Sequence, residues 1–190
     1  MKKQMMLLTG LALAFAATPA MAAGGFVRGE FGRANVSIDA GDLGDDSDSD
    51  SAYSIRGGYF FNNNFAVEGF YSNFYDKSIE VDDGEGGTID VNGKLSGIGL
   101  GIVGKTDFGN DQTGFFLSGR VGLMRGKVEV SATGLGSESD TSTKPYFGVG
   151  AGYDFSPKVG LSLNFDQQKG SGEDLSVTAR TVTLGLEVRF

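Results

Sequence analysis

The chain has no cysteine, no histidine and only 3 prolines in 190 residues. Without cysteine there is no disulfide framework, no thiolate metal site and no cysteine to carry a lipid anchor. Without histidine the commonest general base and the Ser–His pairing of hydrolases are unavailable. Scarce proline beside 32 glycines is not the composition of a disordered tract, which is usually enriched in both. It suits strands packed tightly around something narrow. A net charge of −8 argues against nucleic acid, because phosphate binding needs a basic face. Hydrophobic residues make up 39% of the chain, ordinary for one domain, yet only one continuous apolar run exists.

That run stands at the N-terminus. Lys2 and Lys3 precede an apolar stretch over residues 5–17, and Ala20-Met21-Ala22 supplies a small–x–small cleavage site. The stretch is too short for a spanning helix of about 20 residues, and Thr18-Pro19 ends it. The expected division is a signal peptide at 1–22 and a mature domain at 23–190. Loss of Lys2 and Lys3 takes the net charge from −8 to about −10.

Downstream, short segments alternate between apolar and polar or small residues, the period of a β-strand. Strands are expected near 25–36, 52–61, 65–75, 93–104, 114–129, 145–155, 159–169 and 177–190. In the last of these Val182, Leu184, Leu186, Val188 and Phe190 share one face, against Thr181, Thr183, Gly185, Glu187 and Arg189. In the sixth, Phe147, Val149, Ala151, Tyr153 and Phe155 oppose Tyr146, Gly148, Gly150, Gly152 and Asp154. In the seventh, Leu161, Leu163 and Phe165 oppose Ser162, Asn164 and Asp166. A soluble sandwich turns the apolar face inward, whereas a transmembrane barrel turns it to lipid. The export signal favours the second. So does a non-apolar face made of glycine instead of the lysine and glutamate of a solvated surface. Glycines 97, 99, 101, 148, 150 and 152 leave room for Tyr146, Phe60, Phe70, Phe116 and Arg120, as a narrow lumen requires. Links near 62–64, 105–113 and 156–158 are short or moderate, while those at 37–51, 76–92, 130–144 and 170–176 are longer and polar. Short periplasmic turns and long outer loops place both termini in the periplasm. The fold class expected is all-β: an eight-stranded, antiparallel, up-and-down transmembrane barrel, closed so that no strand edge meets hydrocarbon.

The segment Gly57-Gly58-Tyr59-Phe60-Phe61-Asn62-Asn63-Asn64-Phe65-Ala66-Val67-Glu68-Gly69-Phe70-Tyr71 resembles the second-strand, turn, third-strand signature of the OmpA-like family of eight-stranded barrels, with its small OmpX- and Ail-type members. Ser118-Gly119-Arg120-Val121-Gly122 is similar to that family's fifth strand, and the terminal Phe190 resembles the signal read by the outer-membrane assembly machinery. The resemblance implies a bacterial outer-membrane location, with no peptidoglycan-binding domain after Phe190. Lipid A-modifying and other enzymatic barrels of similar fold use a histidine that this chain lacks, so a non-enzymatic role is expected.

The candidate residues fall into three groups. By parity Arg28, Glu30, Arg56, Glu68, Arg120, Asp154, Asp166, Glu187 and Arg189 point inward. Charges at membrane depth must pair or meet water, so they are read as a salt-bridged plug, the alternative being a narrow pore whose ion pairs exchange. Arg33, Lys94, Arg125, Lys127, Lys169 and Arg180 share the apolar face near the outer ends of their strands. They are expected to ring the barrel, either to meet lipopolysaccharide phosphates, which guanidinium and ammonium groups pair with well, or simply to snorkel to the aqueous edge. Asp39, Asp42, Asp45, Asp46, Asp48 and Asp50, with Asp76, Glu80, Asp82, Asp83, Glu85 and Asp90, put 12 of 24 acids in two loops. They are read as mobile, solvated loops, the alternative being a loose attraction for divalent cations. Asp46-Ser47-Asp48-Ser49-Asp50 lacks the glycine and the closing glutamate of an EF-hand, having Ser51 and Gly57 there. Gly99-Leu100-Gly101-Ile102-Val103-Gly104 matches the dinucleotide fingerprint, but within a strand and with no helix after it. No cofactor and no resident metal are expected. The outward aromatics Tyr53, Tyr59, Phe65, Tyr71, Phe115, Tyr153, Phe155 and Phe190 are read as interfacial girdles. The expected role is structural and surface-interacting, by a monomer whose partners are outer-membrane lipid and lipopolysaccharide.

Overall fold

The structure, a computed structural model, describes residues 24–39, 45–82, 88–109, 112–132, 136–171 and 176–190. The expected signal peptide lies outside the described residues. Eight strands follow one another: β1 (Gly24–Asp39), β2 (Asp45–Phe60), β3 (Phe65–Asp82), β4 (Thr88–Asp107), β5 (Gly114–Ala132), β6 (Gly136–Ser156), β7 (Val159–Ser171) and β8 (Ser176–Arg189). Each pairs antiparallel with the next, and β1 pairs with β8 from Phe26↔Arg189 to Asp39↔Ser176, closing the barrel.

Alternation decides which face is which. On β5 the odd positions Phe115, Leu117, Val121 and Leu123 are 50–70% exposed, while Phe116, Arg120 and Met124 are 5–6% exposed. The same inversion runs through Ile98, Leu100 and Ile102 on β4 and Val182, Leu184 and Leu186 on β8, all more than half exposed. Greasy side chains face out and charged ones face in, the order that suits a hydrocarbon solvent.

The strands are longer than the sequence pattern indicated, from 13 residues in β7 to 21 in β6. About 9–11 tilted residues cross a bilayer, so each strand continues past the apolar band. On β5 the outward series changes from Leu123 to Arg125, Lys127 and Glu129. The segments expected as long loops at 37–51, 76–92 and 130–144 are therefore largely paired strand, and in the segment 170–176 strand runs to Ser171 and resumes at Ser176. Period-two hydrophobicity stops where lipid stops, but backbone pairing needs no lipid. Asp50 and Asp76 are even joined: the Asp76 N–H donates to Asp50 Oδ2 at 3.1 Å, linking the hairpins β1–β2 and β3–β4. Asp42, Asp83 and Glu85 lie outside the described residues.

At the other end the turns are tight. Asn62 Oδ1 accepts from the N–H groups of Asn64 and Phe65 at 2.8 and 2.9 Å, an Asx-type turn. Ser156 Oγ accepts from Lys158 and Val159 in the β6–β7 turn. Two bulges interrupt the ladder, at Asn73/Tyr75 and Asp154/Ser156. The first leaves Phe74 unpaired and 2% exposed, and sets Asp76 opposite Lys94.

Inward glycines give the lumen its bulky contents. A Cβ on Gly99 would strike the Phe70 ring, one on Gly101 the Tyr146 hydroxyl, and one on Gly152 the Phe116 ring and the Leu161 carbonyl. Phe60, by contrast, packs on Phe26 with ring centroids 5.2 Å apart, not over those glycines. Gly119 points outward with nothing within 4 Å of a Cβ. Gly152→Ala is expected to destabilise the folded barrel by about 1–3 kcal/mol, as overpacking does, and Gly119→Ala to be neutral or mildly stabilising. Urea unfolding of both variants in lipid vesicles checks the contrast; equal effects would contradict the assigned faces.

Candidate functional site

Every strand contributes at least one charged side chain to the lumen. Arg28 and Glu30 come from β1, Arg56 from β2, Glu68 from β3, Lys105 from β4, Arg120 from β5, Asp154 from β6, Asp166 from β7, and Glu187 and Arg189 from β8. Glu30 sits at the middle. It accepts from Arg56 Nε at 2.9 Å, from Arg120 Nη1 at 2.7 Å and from Ser54 Oγ at 2.8 Å, with Arg28 Nη1 3.7 Å away. Arg120 forks onto Asp166 with Nε and Nη2. Arg56 reaches Glu68 Oε1 at 2.9 Å, where the Tyr146 hydroxyl also donates at 2.8 Å. Arg28 pairs with Glu187, Arg189 bridges Glu187 and Asp154, and Lys105 completes the chain at Asp154. Bidentate, charge-assisted contacts of this kind are the strong ones.

The parity of the strands assigns nine of these charges to the inner face, and all nine stand there paired with one another. Lys105 was missed. The expected fourth strand ended at 104, whereas β4 runs to Asp107, so Lys105 takes the next inward position after Val103. Continuing the alternation by one residue would have found it. Its ammonium lies 4.0 Å from the Phe116 ring centroid, as Arg56 lies 4.3 Å from that of Phe70, favourable cation–π distances.

Two apolar clusters pack against the charges, while Lys105, Asp107 and Arg189 extend level with or past the one at the turn end. Toward the chain termini stand Phe26, Phe60, Ala66 and Val103. Toward the hairpins stand Ala34, Ala52, Phe70, Phe74 and Met124, packed on Tyr146 with Leu95 at their edge. Phe70 and Tyr146 meet edge-on at 4.8 Å. This packing lowers the local dielectric, which strengthens paired charges and penalises unpaired ones. No group of acids or other ligands fit to hold a metal exists among the described residues.

The six outward basic residues do not form a ring. Lys94, Arg125 and Lys127 lie on β4 and β5, whereas Arg33, Lys169 and Arg180 lie on β1, β7 and β8, the opposite flank. The side chain of Lys169 is outside the described set. The first flank carries its own acids: Lys127 bonds Glu129 at 2.7 Å, and Lys94 pairs across the ladder with Asp76 and Glu129. On the second, Arg33 pairs with Val182 and Arg180 with Asn35, making the two arginines diagonal neighbours. Both are exposed and have no ion-pair partner among the described residues. Outward aromatics are densest at the turn end, where Tyr59, Phe61, Phe65, Phe108, Phe115, Tyr153 and Phe155 are 40–70% exposed. Tyr53 and Tyr71 mark the other edge of the band.

Solved structures of similar fold are outer-membrane proteins. Neisserial surface protein A matches with a TM-score of 0.68 at 20% identity, over 90% of this chain and 100% of that one. Ail, the attachment invasion locus protein of Yersinia pestis, in complex with the heparin analogue sucrose octasulfate, matches at 0.57 and 20% identity, over 86% and 99%. The N-terminal β-barrel domain of Pseudomonas aeruginosa OprF matches at 0.54 and 17%, over 88% and 98%. A comparison with curated protein sequences finds no match. The outer membrane protein beta-barrel domain matches residues 8–190, and the chain belongs to that family of bacterial outer-membrane barrels.

Proposed function

We propose that this barrel is a rigid outer-membrane scaffold that acts through its surfaces: it stabilises the membrane and presents acidic hairpins to the exterior. One observation carries this reading. The lumen is filled by an interlocked charge network packed against two apolar clusters, so side chains leave little room for a solute in a barrel of eight strands. In this reading residues 1–22 are a cleaved export signal, both termini face the periplasm, and the protein works as a monomer without catalysis or cofactor.

The hairpin ends are the surface offered to partners. Residues 37–51 hold six acids and no basic residue, a field that attracts divalent cations and repels polyanions. Ail was solved with a sulfated polyanion; this chain is expected to behave oppositely. Just below, the Arg33–Arg180 flank is the better candidate for lipopolysaccharide phosphate. There the guanidinium groups have no ion-pair partner among the described residues, whereas Lys127 is already neutralised by Glu129. A second reading, a narrow pore gated by exchanging ion pairs, draws on the alternative partners held at 3.7 Å, Arg28–Glu30 and Arg56–Asp166.

Three outcomes are expected. Arg120→Met strands the carboxylates of Glu30 and Asp166 and should lower stability by about 3–5 kcal/mol, read by urea unfolding in vesicles; Asp166→Asn in the same chain should recover part of it. In planar bilayers the parent barrel should show no steady channel openings, whereas openings whose conductance changes in Glu68→Ala would favour the gated pore. The double variant Arg33→Gln/Arg180→Gln should reduce co-purifying lipopolysaccharide more than Lys127→Gln does, while immobilised heparin retains neither; equal lipopolysaccharide retention by the parent and both variants would remove the phosphate site.

A further inference from the structure

On the hairpin side of the charge network lies a small polar chamber that neither the plug nor the outer flanks explain. It is walled by Ser72 and Asn73 of β3, Gln168 of β7 and Thr183 of β8, with the carboxylates of Glu30 and Asp166 at its floor. All four polar side chains are at most 4% exposed. None of Gln168 Nε2, Gln168 Oε1, Ser72 Oγ, Asn73 Nδ2 and Thr183 Oγ1 has a hydrogen-bond partner in the protein. Buried polar atoms are rarely left so, and here five of them line one space.

The size and the chemistry of that space select its occupant. The cavity volume is about 10 Å³, the least that holds one water molecule. The unpartnered atoms are mixed: the amide nitrogens of Gln168 and Asn73 donate, Gln168 Oε1 accepts, and the hydroxyls of Ser72 and Thr183 do either. Water donates two hydrogen bonds and accepts two, and so answers both kinds. A cation would satisfy only the oxygens and face two N–H donors. We propose that the chamber binds one long-lived water molecule, held between Gln168, Ser72 and Thr183, which ties β3 to β7 and β8 across the lumen. Where the direct ion pairs stop, this bridge continues the cross-lumen bracing toward the hairpins. It also hydrates the outer faces of Glu30 and Asp166, which the arginines hold from the other side.

Nuclear magnetic resonance of the folded protein in lipid bicelles tests this. Cross-relaxation from water to the Gln168 side-chain amide should carry the sign of a resident molecule; a dry amide, with no such signal, overturns the proposal. Gln168→Met and Thr183→Val remove partners from a bound water and should each unfold on the order of tenfold faster, and in Thr183→Val the Gln168 amide should lose its water signal. In a dry chamber the same substitutions delete orphaned groups, so slower or unchanged unfolding counts against the water. Should Gln168→Met fail to fold, Thr183→Val and the parent spectrum decide alone. The lumen has six carboxylates, Asp107 included, against five cations, so a sodium ion is the rival occupant. Identical Gln168 signals in sodium, potassium and choline buffers support water, and dependence on the cation refutes it.

Discussion

The structure depends on one constraint: among the described residues eleven ionisable side chains share the barrel lumen, nine of them at most 6% exposed and only Arg189 and Asp107, at the turn end, reaching 13–14%. Isolated charges in such a place cost several kcal/mol each, so each is held against at least one opposite charge. The network meets this by drawing at least one charge from every strand and by sharing: Glu30 serves three arginines, and Asp154 serves Lys105 and Arg189. Glycine follows from the same demand. An eight-stranded lumen holds long arginines and aromatic rings only if the strand facing them has almost no side chain, as at Gly148 beside Arg120 and Asp166 and at Gly101 beside Tyr146.

Sharing charges among all strands makes the interior a property of the closed barrel alone. Arg28 and Glu187 are 159 residues apart in sequence, and they meet only once β8 lies beside β1. At the same seam the Phe190 N–H donates to the Gly25 carbonyl at 2.9 Å. An open sheet would expose both a row of unpaired amides and half of an ion-pair network to hydrocarbon, two costs that vanish together on closure. The carboxyl-terminal strand thus carries two kinds of closing group: outward apolar residues for lipid, and the inward Glu187 and Arg189 for the network.

Much of this was legible in the sequence, because lipid imposes a period of two. Phe115 through Leu123 against Phe116 through Met124 already distinguishes outside from inside, and the inward charges follow from counting. Two things were not legible. Strand ends lay beyond the apolar band, where pairing continues without a hydrophobic signal, and this hid Lys105 at one end and the long hairpins at the other. Partner choice was hidden as well. Which arginine meets which carboxylate depends on stagger between strands, and the outer pair Asp76–Lys94 depends on the bulge at Asn73/Tyr75; no local pattern encodes either. The two-flank arrangement of outer basic residues has the same origin: alternation says which face Arg33 and Lys94 occupy, and only the strand order says they are on opposite sides.

The flanks also show why equal charge does not mean equal availability. Lys127 and Glu129 sit two residues apart on one strand face and bond directly, with both side chains about two-fifths exposed. A solvated pair of this kind adds little stability, but it leaves a passing phosphate a neutral surface. Arg33 and Arg180 are diagonal like charges on adjacent strands, an arrangement that repels slightly when nothing lies between them. Such a pair lowers its energy by taking up an anion, and arginine forks suit phosphate oxygens better than ammonium groups do. One end of the barrel thus combines an acidic tip with an unneutralised arginine pair at the edge of the apolar band. In the proposed reading the first would draw cations and the second phosphates, both of which a lipopolysaccharide layer contains. That proposal makes the membrane's own outer leaflet the first partner to test, before any more distant one.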